Sequence, residues 1–198
     1  MTSKEIVKNT VIMTIIALVF GVILGVVHEV TLEPIRVQKE LTLKNAYQAV
    51  MPAASDFKDT GVTAETAAPV IADGDYNAQI DSVLEAVDES GQSVGYVINV
   101  TSHGGYGGDI GFSMGVNSDG SVEGVSITNI AETPGLGMKA QSDPSFLEQF
   151  LHKEGGTVFN LGENVTAITS ATFTSRCVTR GVNAGLAYFN AELSGGAA

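Results

Sequence analysis

The chain has 198 residues, 44% hydrophobic and 16% charged, with 23 glycines. These values fit one membrane anchor plus one globular domain and argue against a disordered or fibrous protein. Lysine and arginine total 10 against 22 acidic residues, a formal net charge of −12, which would repel nucleic-acid phosphates. The one cysteine, Cys177, has no second thiol to pair with and no Cys or His companions at ligand spacing, so no disulfide, iron–sulfur or zinc site is expected.

Residues 11–27, VIMTIIALVFGVILGVV, are uncharged and almost wholly apolar, close to what an α-helix needs to cross a bilayer. A cleaved signal peptide is the competing reading. The run is long for one, and His28-Glu29-Val30 offers no small-residue cleavage pattern. Lys4 and Lys8 precede the run and Glu29 and Glu33 follow it, which puts the N-terminus in the cytoplasm; Arg36, Lys39 and Lys44 on the far side count against that orientation. The expected organisation is a cytoplasmic N-terminus at 1–10, a transmembrane helix at 11–30, a membrane-proximal amphipathic linker helix at 31–52, and an extracytoplasmic domain at 53–198.

Residues 53–75 mix Ala, Thr, Asp, Gly and Pro with weak periodicity and read as loop or short irregular structure. GYVINVT at 95–101 is β-rich. Ile110, Phe112, Met114 and Val116 alternate up to the turn Ser118-Asp119-Gly120, and Val122, Val125 and Ile127 form the return strand, with an irregularity at Gly124 that suits a bulge. Asp143-Pro144 starts a short helix with Phe146, Leu147, Phe150 and Leu151 on its apolar face. Val178, Val182, Leu186 and Phe189 mark a longer amphipathic helix beginning just after Ser170-Ala171-Thr172. The fold class is therefore α+β, a twisted antiparallel sheet with packed helices behind one N-terminal transmembrane helix.

Three stretches could carry chemistry. AITSATFT at 167–174 gathers hydroxyls at a helix N-terminus, where free N–H groups and the helix dipole favour a phosphate and Arg176 could add charge; an ordinary Ser/Thr cap explains the same composition. AETPGLGMK at 131–139 has glycines that permit close approach of a flat ring or of another backbone, or simply turn the chain. GGYGG at 104–108 lacks the spacing and following helix of a dinucleotide loop; Tyr106 lies against a ligand or caps the core. His28, His103 and His152 are scattered and read as surface or interfacial residues, and Cys177 as a small buried hydrophobe.

Together, in this order and behind one anchor, these stretches are similar to the FMN-binding domain of Rnf G subunits and Nqr C subunits, over most of the chain. The family's flavin motif, an acidic residue, two variable residues, Ser or Thr, Gly, Ala and Thr, falls on residues 166–172, with Thr166 in place of the acid and Ser170 in place of the glycine. The resemblance implies FMN joined through its phosphate to the Thr172 hydroxyl by a separate flavin transferase, with Thr169, Ser170 and Ala171 beside it. Glu132, Thr133, Leu136, Gly137, Lys139 and Tyr106 are implied neighbours of the ring or its tail.

The resemblance further implies an electron-carrying subunit, with no catalytic residue of its own, in a membrane complex coupling ferredoxin:NAD electron transfer to Na+ or H+ translocation. Its partners would be the other subunits of that complex. An Nqr-type C subunit of a Na+-translocating NADH:quinone reductase and a flavin-less membrane-tethered scaffold are the alternative readings.

Overall fold

The computed structural model describes residues 3–72 and 74–195; the last residues of the expected domain, 196–198, and the first two of the expected cytoplasmic segment lie outside them. The chain divides at Thr42/Leu43 into an N-terminal unit and a larger C-terminal unit.

The N-terminal unit belongs to helix α1 (Ser3–Val50), which runs through Pro34 without a break, so the segment read as a linker helix is its continuation. The apolar side chains from Val11 to Val27 are exposed, and the helix is long and apolar enough to cross a membrane. Thr14 Oγ1 donates back to the Thr10 carbonyl at 2.9 Å, which hides a hydroxyl inside the apolar run.

In the C-terminal unit, β1 (Asp56–Asp59), β2 (Ala78–Val87), β3 (Ser93–Ser102), β4 (Ile110–Asn117) and β5 (Val122–Asn129) form an antiparallel meander in sequence order. One face is covered by α5 (Thr172–Tyr188) and α2 (Ala64–Ile71). There Phe112, Met114, Ile98 and Val83 meet Val178, Val182 and Leu186, giving the apolar burial that stabilises the unit. In a second cluster Val50, the last residue of α1, and Met51 just after it pack with Ala54, Ala86 and Val97. Gly115 and Gly124 pair across β4 and β5 at this seat; a Cβ would stand 2.1 Å from Val50 O at the first and 2.6 Å from Val50 Cα at the second. The expected irregularity is there, with Glu123 as the extra residue beside Gly124.

Residues 53–75 correct the expectation of a loop, since β1 and α2 both lie within them. β1 is a four-residue charged edge strand, too short to show alternation. α2 opens with the Thr63 N–H donating to Thr66 Oγ1 at 2.9 Å, a cap in which threonine takes the usual glutamate position, and Pro69 inside it masks the helical pattern. β2 gave no sequence signal because the pairing slips between Ile80 and Ser82, so that Ile80 and Val83, three residues apart, both reach the core. After β5 come α3 (Lys139–Ser142) and α4 (Pro144–Leu147), the latter capped by Asp143 as its Asp-Pro start predicts, then a 3-10 turn. A π turn extends α5 at Phe189–Leu193.

Candidate functional site

Three segments converge on one cleft of about 350 Å³: the loop after β3, the loop after β5, and the start of α5. Its walls are Tyr106, Glu132, Thr133, Leu136 and Gly137 from the loops, and Ser170, Ala171, Thr172, Phe173 and Thr174 from the helix end.

The two loops are joined by Glu132, which is 6% exposed and whose Oε1 accepts the Tyr106 N–H at 2.8 Å. Glycine is needed around this carboxylate for space. A Cβ at Gly105 would stand 2.7 Å from Oε1, and one at Gly137 2.7 Å from Oε2 and 2.6 Å from Thr174 Oγ1.

The approach to α5 is a tight turn in which the Ala171 N–H donates to the Ile168 carbonyl at 3.0 Å. Its third residue, Ser170, has φ +63°, the left-handed region that suits glycine, so the Gly-to-Ser departure read from the sequence sits where a side chain strains the backbone. The segment is held twice. Gln149 acts like a neighbouring strand, its amide accepting from Thr166 N at 2.7 Å and donating to Thr166 O at 3.2 Å. Ser175 Oγ accepts the Ile168 N–H at 2.9 Å and donates to Ala171 O at 2.9 Å.

The N-cap of α5 is Ala171 and no side chain caps it, so the hydroxyl-rich sequence does not serve as the ordinary cap that its composition allowed. Thr172 is exposed in the first turn with its hydroxyl unbonded among the described residues, beside N–H groups with no intrahelical acceptor. That arrangement can receive an anionic group. Thr169 and Lys139 do not line this cleft; they share a second hollow of about 370 Å³ with Gln149, Thr166 and Ile168. Arg176 is exposed one turn further into the helix, outside the cleft lining. Cys177 is fully buried with Sγ 3.3 Å from the Ser102 carbonyl, and burial pushes its thiol pKa up, so it behaves as a small core residue.

Ser175 and Gln149 were not singled out from the sequence, and Phe173 and Thr174 fell within the 167–174 stretch without being named as site residues. Phe173 had a signal: it is out of phase with the Val178, Val182 and Leu186 face, which leaves a large aromatic exposed at 61%.

Residues 105–187, which include the residues lining the cleft, match the FMN-binding domain family, and residues 1–50 match the RnfG N-terminal region. The chain is 30% identical over 189 residues to the G subunit of the Na(+)-translocating ferredoxin:NAD(+) oxidoreductase complex of Acetobacterium woodii, covering 91% of this chain and 89% of that protein. It is 30% identical over 177 residues to the G subunit of the proton-translocating ferredoxin:NAD(+) oxidoreductase complex of Clostridium ljungdahlii, covering 86% and 84%. The crystal structure of the C subunit of Na(+)-translocating NADH-quinone reductase from Parabacteroides distasonis superposes with a TM-score of 0.52 at 19% identity, over 80% of this chain and 95% of that one, and so shares the fold. The chain belongs to the family of G subunits of ion-translocating oxidoreductase complexes, and it is a membrane-associated member with, among the described residues, one apolar N-terminal helix long enough to cross a membrane. The resemblance and the α+β class read from the sequence are both borne out.

Proposed function

We propose that this chain carries FMN in the cleft, esterified through its phosphate to Thr172, and relays electrons in an Rnf-type complex that couples ferredoxin:NAD electron transfer to export of Na+ or H+. The observation that carries the proposal is a convergence. Outside α1, the large apolar side chains exposed among the described residues are Tyr106, Leu136, Val158 and Phe173, and all but Val158 line the cleft that holds Thr172. Apolar rims with a few polar groups between them suit a flat ring, and the bare start of α5 suits its phosphate. When bound, the flavin supplies the redox chemistry; the chain's residues hold it, shield it and set its surroundings.

In this reading Thr172 is a tether rather than a turnover residue. The tether is installed by a separate flavin transferase, whose access to the hydroxyl is consistent with the exposure of Thr172. Thr169 and Lys139 belong to the outer edge of the site. The N-terminus is cytoplasmic, a single span covers 11–30, the linker is 31–52, and the domain at 53–198 lies outside, following the lysines before the apolar run. The other subunits of the complex are its partners, as the names of the relatives indicate for those proteins.

Peptide mass spectrometry of the full chain, produced together with a flavin transferase, tests this. An FMN phosphoester on the peptide containing Thr172, lost in Thr172→Ala with the fold intact, is the expected result. An unmodified peptide in the presence of active transferase would leave the flavin-less scaffold reading in its place.

A further inference from the structure

The two oxygens of the Glu132 carboxylate are used differently. Oε1 accepts the Tyr106 N–H at 2.8 Å, whereas Oε2 takes no hydrogen bond from any described residue. Oε2 is not sealed in either. Among the described residues a fully enclosed side-chain nitrogen or oxygen without a partner occurs at Arg180 Nε and not at Glu132, so Oε2 keeps some exposure, and it lies beside Gly137, which lines the cleft together with Glu132. The side chain is otherwise 94% withdrawn from solvent, with 6% exposed, and Gly105 and Gly137 leave the space that admits it.

A carboxylate in that position is costly unless a donor reaches its free oxygen. The cleft is thus polar in a defined sense. The start of α5 offers N–H groups and the positive end of a helix dipole to an anion, and Glu132 offers an acceptor and a negative charge to a donor. FMN carries both complements: its phosphate has no donor and is repelled by Glu132, while its ribityl hydroxyls and ring N–H are donors that the helix end does not need.

We infer that Glu132 orients the flavin, its Oε2 accepting an O–H or N–H of the ribityl chain or ring, and that its charge holds the flavin potential down. The inference rests on the FMN reading above. The sign follows from Coulomb's law, since electrons added to the flavin beside a fixed negative charge are disfavoured. Glu132 is a binding residue here and transfers no proton or electron itself.

The test uses the full chain in detergent, loaded with FMN by a co-produced flavin transferase. Glu132→Gln keeps an acceptor for the Tyr106 N–H and removes the charge. A more positive flavin midpoint potential in the covalently loaded variant is the expected result; a loaded variant with the wild-type potential overturns the inference. A second measurement needs no variant. In reduced-minus-oxidised infrared difference spectra of wild-type protein carrying isotope-labelled glutamate, a shifted carboxylate band is expected, and its absence overturns the inference while leaving the tether in place. Wild-type protein without covalent flavin, seen by mass before any potential is measured, overturns both readings together.

Discussion

Ser175 Oγ stands 2.9 Å from the backbone nitrogen of Ile168, seven residues earlier, and accepts its N–H while donating to the Ala171 carbonyl. One fully buried hydroxyl therefore fixes the turn that leads into Thr172. Ser175→Ala leaves the Ile168 N–H without its partner, at a cost of about 1–3 kcal/mol. The expected outcome is a lower melting temperature of the full chain in detergent and faster amide exchange at Ile168. Wild-type exchange at that amide would show that another group takes over the bond.

Ser170→Gly is expected to act in the opposite direction. A side chain in the left-handed region costs roughly 1–2 kcal/mol, and glycine gives back about 0.5–1 kcal/mol through its greater freedom in the unfolded chain. With φ at +63°, the net is a gain of about 0–1.5 kcal/mol on those figures. Denaturant unfolding of the full chain measures it, and a destabilised Ser170→Gly would mean that the serine hydroxyl contributes something its lack of bonds in the structure does not reveal.

Much of this fold was legible in the sequence, for identifiable reasons. β4 alternates in sequence up to Ser118-Asp119-Gly120, β5 returns with the irregularity that Gly124 suggested, and Asp143-Pro144 starts α4 with the cap its residues imply. β2 was not legible, because the slip beside Asp81 breaks its period, and α2 was hidden by a threonine cap and Pro69. At the site, residues that touch the cleft through local motifs could be found: Tyr106, Glu132, Gly137 and Thr172. Gln149 and Ser175 could not. Gln149 reaches Thr166 across seventeen residues, and an isolated glutamine in a short helix announces no such contact. Lys139 and Thr169 lie close to the right segments in sequence but turn to the second hollow.

Acid should weaken the domain through its turn aspartates. Asp119 accepts Ser121 Oγ at 2.6 Å and Ser121 N at 2.9 Å, and Asp88 and Asp143 make the same arrangement with Ser90 and Ser145. These serine hydrogen bonds hold all three carboxyls below the usual aspartate range. A pKa depressed on folding gives stability that is fully present above the unfolded value, near 3.9, and is lost as pH falls through the folded value. Melting temperature should therefore decline on acidification below about pH 4, and Asp119→Asn, which keeps an acceptor without the titration, should soften that decline. An acid limb identical to wild type would assign the loss to other groups.

Phe173 separates the needs of the fold from those of the cleft. Its side chain is 61% exposed at the cleft rim and lies outside the buried face of α5, so Phe173→Ala removes little packing. Surface changes of this kind fall within about 0.5 kcal/mol, and unfolding of the flavin-free chain should be unaltered. In the loaded protein the same change removes an aromatic wall beside the tether. The attached flavin should then rotate more freely and fluoresce more strongly, which fluorescence anisotropy and quantum yield measure at equal covalent load. Should both stay at wild-type values, the ring lies against Tyr106 and Leu136 alone, and the exposure of Phe173 must serve a surface other than the flavin's.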